Sequence, residues 1–260
     1  SVINSTAAGP AWAGVLPHLA RAEQAPRPRL VGSASSGAPQ GSALRLNASA
    51  SSALLPLNPN ASNPISTDSA TFEFWIRTTV SGQQAVLKAG DSDADPLHPM
   101  IILQNDQIEV YWDQPGGAGL LSADSTPVTD GQWHHLAIVF DAGTVTFYKD
   151  GVATADSLTV GASISNQLWQ MQLGSLWGGA AGFIGDMWDV RVWQTARSAD
   201  DIANGRWVVL TGTESGLLVA SEFDQASGAA INLATGYSGQ ILNATVISTD
   251  LPSPQCVLAL

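Results

Sequence analysis

Charge is scarce in this sequence: Asp, Glu, Lys and Arg make up 12% of 260 residues, about half the share of an ordinary soluble chain. Together with 45% hydrophobic residues, this excludes wholesale disorder, which needs low hydrophobicity and high net charge at once. Basic residues are scarcer still, ten against 22 acidic ones for a net charge of −12. That balance argues against nucleic acid or an anionic membrane as a general partner. The lone cysteine, Cys256, excludes an internal disulfide and a cysteine-based zinc site. Neither staple is required, because a chain of this size folded as one domain buries roughly three quarters of its unfolded surface. No apolar run of about 18 residues occurs, so no membrane-spanning helix is expected. No Gly-x-Ser-x-Gly elbow is present, which removes the commonest nucleophilic hydrolase signature. The sequence starts at Ser1 with neither an initiator Met nor a basic signal region, which suits a processed form or an excised piece of a longer chain alike.

What is present divides in two. Residues 1–39 hold Pro10, Pro17, Pro26, Pro28 and Pro39, five of the 14 prolines, and show no strand alternation. Trp12, Val15, Leu16 and Leu19 fall at helical spacing, but Pro17 limits that helix to a turn or two. Residues 1–70 carry a net charge of +2 and the remainder −14. The first 39 residues read as a linker or as an arm that docks on its own domain or on a neighbouring subunit. Residues 251–260 read as a tail.

From residue 40 to 250 the period is two. Phe72, Phe74 and Ile76 share one face of a strand, and Ile108, Val110 and Trp112 share one face of another. Short strands are also expected around Leu44, Ala85, Met100, His135, Thr144, Gln170 and Asp189. Asp150-Gly151 is the strongest hairpin signal, since a type I′ turn needs positive φ at both central residues. One short helix is expected after the N-cap Ser198, with Asp201 three residues on and Gly205 ending it. Strands every 8–15 residues without βαβ alternation predict an all-β, antiparallel two-sheet sandwich.

Four runs in order carry a resemblance. Asp130-Gly-Gln-Trp-His-His-Leu-Ala-Ile-Val-Phe-Asp with Val145-Thr-Phe-Tyr-Lys-Asp-Gly resembles the central hairpin of laminin-G-like and pentraxin-like domains. Gly182-Phe-Ile-Gly-Asp-Met-Trp-Asp-Val-Arg-Val-Trp with the helix after Ser198, Phe72-Glu-Phe-Trp-Ile, and the segment from Leu210 through Glu222 are similar to further parts of the same family. The resemblance implies a concanavalin A-type jelly roll. It also brings calcium into view, yet the loop Gly174-Ser-Leu-Trp-Gly-Gly-Ala-Ala-Gly lacks the carboxylates a pentraxin-style site would use. The alternative calcium site is Asp91, Asp93 and Asp95, three carboxylates in five residues that repel unless solvated or metal-bound. Glycosidases of this fold carry Glu-x-Asp-x-Glu on one strand, and no such motif occurs. Glu109 and Asp113 would lie about 13 Å apart along a strand, farther than the roughly 5–9.5 Å that glycoside hydrolysis needs.

Alternation also names a candidate binding face. Trp75 and Arg77 point away from the core on one strand, and Glu109, Tyr111 and Asp113 do so on another. Were the two strands neighbours in one sheet, these side chains and Trp177 would form a sugar-stacking face; the competing reading is a solvated face with a pair such as Arg77 with Glu109. Of the nine tryptophans, Trp75, Trp133 and Trp193 match positions that pack in the family's core. Trp169, Trp177 and Trp188 suit either a sugar ring or a partner surface. His134 and His135 are adjacent on a strand, point to opposite faces and cannot share a metal. Asn4, Asn47, Asn60 and Asn243 open N-glycosylation sequons that matter only in a eukaryotic secreted protein. The expected function is a non-catalytic recognition module outside the cytoplasm, binding a glycan or a protein surface. The alternative is a structural subunit of a surface, filament or virion assembly that uses residues 1–39 for contacts.

Overall fold

The computed structural model describes residues 40–56, 69–89, 99–112, 120–159, 170–175, 181–223 and 230–252. The 39-residue arm, most of the tail, Asp91, Asp93, Asp95, Asp113, Trp169, Trp177, Asn4 and Asn60 lie outside them. The strands are β1 (Gln40–Leu46), β2 (Ser52–Pro56), β3 (Ser69–Arg77), β4 (Gln84–Ala89), β5 (Met100–Gln104), β6 (Gln107–Trp112), β7 (Leu120–Asp124) and β8 (His134–Asp141). They continue with β9 (Thr144–Lys149), β10 (Val152–Thr159), β11 (Gln170–Leu173), β12 (Gly185–Trp193), β13 (Leu217–Ser221), β14 (Gln240–Leu242) and β15 (Thr245–Asp250). A single helix, α1 (Ala199–Gly205), sits between β12 and β13.

Two antiparallel sheets result. The eight-stranded one runs β10-β9-β8-β3-β12-β1-β15, with β13 also pairing β12; the seven-stranded one runs β14-β2-β11-β4-β5-β6-β7. Their inner faces meet in one core. Phe72, Phe74 and Ile76 of β3 and Leu136, Ile138 and Phe140 of β8 belong to it, as do Leu87, Ile101, Leu103, Ile108 and Val110 of the opposite sheet. Phe72 and Phe140 meet edge to face with ring centroids 5.7 Å apart. The Asp150-Gly151 turn has the positive φ at both residues that its type requires. Ala142-Gly143 and Asn105-Asp106 build the same geometry between β8 and β9 and between β5 and β6.

The outer face of the eight-stranded sheet is itself covered, and the covering is ionic. Trp188 pairs with Trp75 but Arg191 pairs with Glu73, so one extra residue enters β12. Asp189 absorbs that bulge at φ 50°, a conformation Asp tolerates better than most residues. The shift leaves Trp188 and Arg191 outside while Met187, Val190 and Val192 reach the core. Arg191 is 2% exposed. Its Nε donates to Asp189 Oδ1 at 2.7 Å, its Nη1 to the Gly205 carbonyl at 2.8 Å and its Nη2 to the Val208 carbonyl at 2.7 Å.

The helix ends at Gly205 as expected, but not through a left-handed glycine. Ser198 and Asp201 do form the capping box, but Gly205 is the last helical residue and Arg206 the C-cap, in right-handed conformation. The helix ends because arginines take its carbonyls: Arg191 at Gly205, Arg197 at Asp201 (3.0 Å), and Arg206 at Ala203. Glycine serves there for access, since a Cβ on Gly205 would lie 2.7 Å from the Arg197 guanidinium. Ile202 seats the helix on Ala137 and Val139. Replacing Arg191 by Met strands Asp189 and the helix carbonyls without donors. Urea unfolding is expected to show a loss of about 3–5 kcal/mol, and a loss below about 1 kcal/mol would contradict the role assigned to this side chain.

Candidate binding groove

The sequence-predicted face divides between the two sheets. Trp75 and Arg77 lie on the outer side of β3 in the eight-stranded sheet, and Glu109 and Tyr111 lie on β6 in the seven-stranded one. The core separates them, so they form no common face and Arg77 does not pair with Glu109. The reason is topological: β3 pairs β8 and β12, whereas β6 pairs β5 and β7. Strand alternation assigns faces correctly but carries no information on which sheet a strand joins. Glu109 is buried and its Oε2 has no hydrogen-bond partner among the described residues. Burial pushes its carboxyl above the usual range. Tyr111 is half-buried opposite Met100.

Arg77 instead pairs with Asp186. Asp186 Oδ2 accepts from Arg77 Nη2 at 2.7 Å and Nε at 3.1 Å, and from Arg45 Nη2 at 3.1 Å. Its Oδ1 accepts from Arg45 Nε at 2.8 Å. The three residues occupy one row across β3, β12 and β1. They line a groove of about 420 Å³ at the end of the sandwich, together with Asn47, Thr79, Gly131 and Ile184. Burial opposes the ionisation of Asp186, but the hydrogen bonds and charges of Arg45 and Arg77 outweigh it and hold the carboxyl below its usual range. Arg77 also donates to Thr249 Oγ1 at 2.8 Å and lies over the Trp133 ring, 4.8 Å from its centroid. Trp133 Nε1 donates to the Asp250 carbonyl at 2.8 Å. The ladder carries the row of Arg77 to Thr245, so these contacts reach four to five residues farther along β15.

Tryptophans continue the surface away from the groove. Trp75 is 3% exposed, wedged among Trp207 at 4.9 Å, His135 at 5.2 Å and Trp188 at 6.0 Å between ring centroids. Trp133, Trp188 and Trp207 are half-buried, and Val208 and Val209 beside Trp207 are exposed. The fold thus makes Trp75 a supporting residue and presents Trp188, Trp207 and Trp133 in its place. Arg45 and Asp186 were not singled out by sequence; a charged residue at an outward position of a strand was the one signal available. Asn47 and Asn243 are both exposed, and Asn47 lies in the groove wall, where an attached glycan would occupy it. Among the described residues no group of three or more His, Cys, Asp or Glu converges to hold a metal ion. No described helix is long and apolar enough to cross a membrane.

A family model for the concanavalin A-like lectin/glucanases superfamily, of laminin-G type, matches residues 49–203. The chain belongs to this superfamily. Among solved structures it is similar to a candidate carbohydrate-binding protein from Bacteroides ovatus, with a TM-score of 0.63 and 19% identity over 82% of this chain and 61% of that one. It is also similar to domains LG4-5 of the mouse laminin alpha1 chain, with a TM-score of 0.50 and 15% identity over 65% of this chain and 46% of that one. At these identities the likeness establishes the laminin-G-type jelly roll, and the chain spans about three fifths or less of either structure. No curated protein matches the sequence.

The loop that carries Gly131 and Trp133 is fastened by His134. Its Nδ1 lies 2.9 Å from Asp150 Oδ2 and its Nε2 3.0 Å from Asp130 Oδ1. The hydrogen bond to Asp150 raises the imidazole pKa against the opposing effect of burial. Asp130 titrates below its usual range, held there by the Gln132 N–H and by His134. Asp150 also titrates low because His134 outweighs its burial. A raised histidine stabilises the fold fully below its unfolded pKa of about 6.5, and that contribution disappears as pH rises through the folded value. The lowered aspartates act above their unfolded pKa of about 3.9, and their contribution disappears as pH falls through their folded values. The stability cost of His134→Gln is therefore expected to be largest near pH 5–6 and to shrink toward about pH 9. A cost that stays flat across that range would contradict the bridge.

Proposed function

We propose that this domain is a non-catalytic recognition module that works outside the cytoplasm and binds a glycan through the rim groove and the tryptophans beside it. The observation that carries this reading is the groove itself, whose fixed hydrogen-bonding groups include Arg77, stacked on the half-buried indole of Trp133. Sugar recognition needs both, flat apolar rings for the carbohydrate face and oriented polar groups for its hydroxyls. Membership of a superfamily described by lectins and glucanases is consistent with it. The missing Glu-x-Asp-x-Glu strand favours the lectin side over the glucanase side. On a glycan array the domain should retain defined ligands, and Trp188→Ala should weaken them about 30-fold, as loss of a hot-spot aromatic does, with Tm nearly unchanged. Turnover on a polysaccharide panel, or full binding by the variant, would sink the proposal.

One observation favours the second reading, an assembly subunit. Gln40 and Asp250 pair with each other, and Asp250 is bonded to Trp133 beside the groove, so the chain joins and leaves the sandwich at one corner. An arm of 39 residues docking on a neighbouring copy would then reach it from there. Light scattering should report a larger particle for residues 1–260 than for residues 40–260 under that reading, and equal monomers would dismiss it.

A further inference from the structure

We propose that the groove selects a sugar carrying a carboxylate, which Arg45 binds while Arg77 and Asp186 hold it in place. This rests on the glycan reading above and names the ligand class. Charge in the groove is unbalanced: two guanidinium groups face one carboxylate, and no other acidic side chain lines the walls. Arg77 alone would neutralise Asp186, and it is also tied down by Thr249 and Trp133. Arg45 is therefore the cation in excess. Its side chain is 46% exposed, against 26% for Arg77 and 6% for Asp186. Asp186 engages Arg45 through Nε and Nη2, which fixes the guanidinium plane, and Nη1 makes no bond among the described residues.

A guanidinium already oriented on one carboxylate loses little freedom when its free edge meets a second one. One retained positive charge matches one carboxylate, which the free pair of N–H groups can meet side by side through both oxygens. The remaining walls suit a pyranose ring. Ile184 is 42% exposed and offers an apolar patch, and Asn47 and Thr79 offer hydrogen bonds to hydroxyls. The volume of about 420 Å³ lies within the range of small-molecule sites. This cationic spot belongs to a chain of net charge −12, where an acidic ligand finds repulsion over much of the remaining surface.

The test uses the full chain in calorimetric titrations with four probes. They are tetragalacturonic acid, the same tetramer with its carboxyls reduced to alcohols, sialyllactose, and lactose. The acid of at least one pair should bind about tenfold or more tighter than its neutral counterpart, the factor expected of one charge-assisted contact; the pair that responds separates uronic from sialic acid as the source. Arg45→Gln should remove that advantage while Tm stays close to the parent value, and Arg45→Lys should restore part of it through charge alone. Equal affinity for acid and neutral sugars would overturn this inference and leave the glycan reading standing. A sulfated tetramer bound more tightly than the carboxylated one would overturn it too. Binding of no sugar on the array would remove both.

Discussion

The outer layer of this sandwich depends on one buried guanidinium. Arg191 joins three parts of the chain that sequence separates: the β12 bulge through Asp189, the end of α1 through Gly205, and the following loop through Val208. A charge 2% exposed is tolerable only when every donor finds a partner, and here strand, helix and loop each supply one. Glu73 completes the layer. Burial pushes its carboxyl up, but His135, Arg197 and Arg191 outweigh that and keep it ionised. Arg197 bonds it at 2.7 Å while lying over the Trp193 ring.

Two consequences reach the candidate binding surface. Fixing the loop at Val208 sets Trp207 against Trp75, and the bulge at Asp189 leaves Trp188 on the same side. The aromatic surface is thus a product of the ionic layer rather than of strand alternation alone. At the rim the balance differs. There Asp186 is shared by two arginines rather than enclosed by one, and the arginines reach solvent. Buried charges of opposite sign hold the layer together, whereas the rim keeps one exposed positive charge in excess.

The sequence was most legible where local rules suffice. Phe72, Phe74 and Ile76 alternate into the core, Asp150-Gly151 turns as its residue types demand, and Ser198 with Asp201 caps the helix. It was less legible where both faces of a strand are covered. Ser52 through Leu55 is buried throughout, so β2 shows no period of two and escapes a search for one. Gly205 was read correctly as the helix end, but the distant arginines that take the last carbonyls leave no local pattern to read. The candidate site was half legible. Arg77 was found and lines the groove, but its partners Arg45 and Asp186 lie 32 and 109 residues away, and only strand order brings them together. Glu109 and Tyr111 were grouped with it because alternation has no means of separating two sheets.

The central claim is that recognition lies on the outer face and rim of the eight-stranded sheet. Indole N–H resonances of the nine tryptophans, followed during titration with the tightest array ligand, test it most directly. Trp133 and Trp188 are expected to shift with the ligand while the backbone amides of Glu109 and Tyr111 on the opposite sheet stay still. Shifts confined to Glu109, Tyr111 and their strand neighbours, with Trp133 and Trp188 unmoved, would place the site on the other sheet and contradict it.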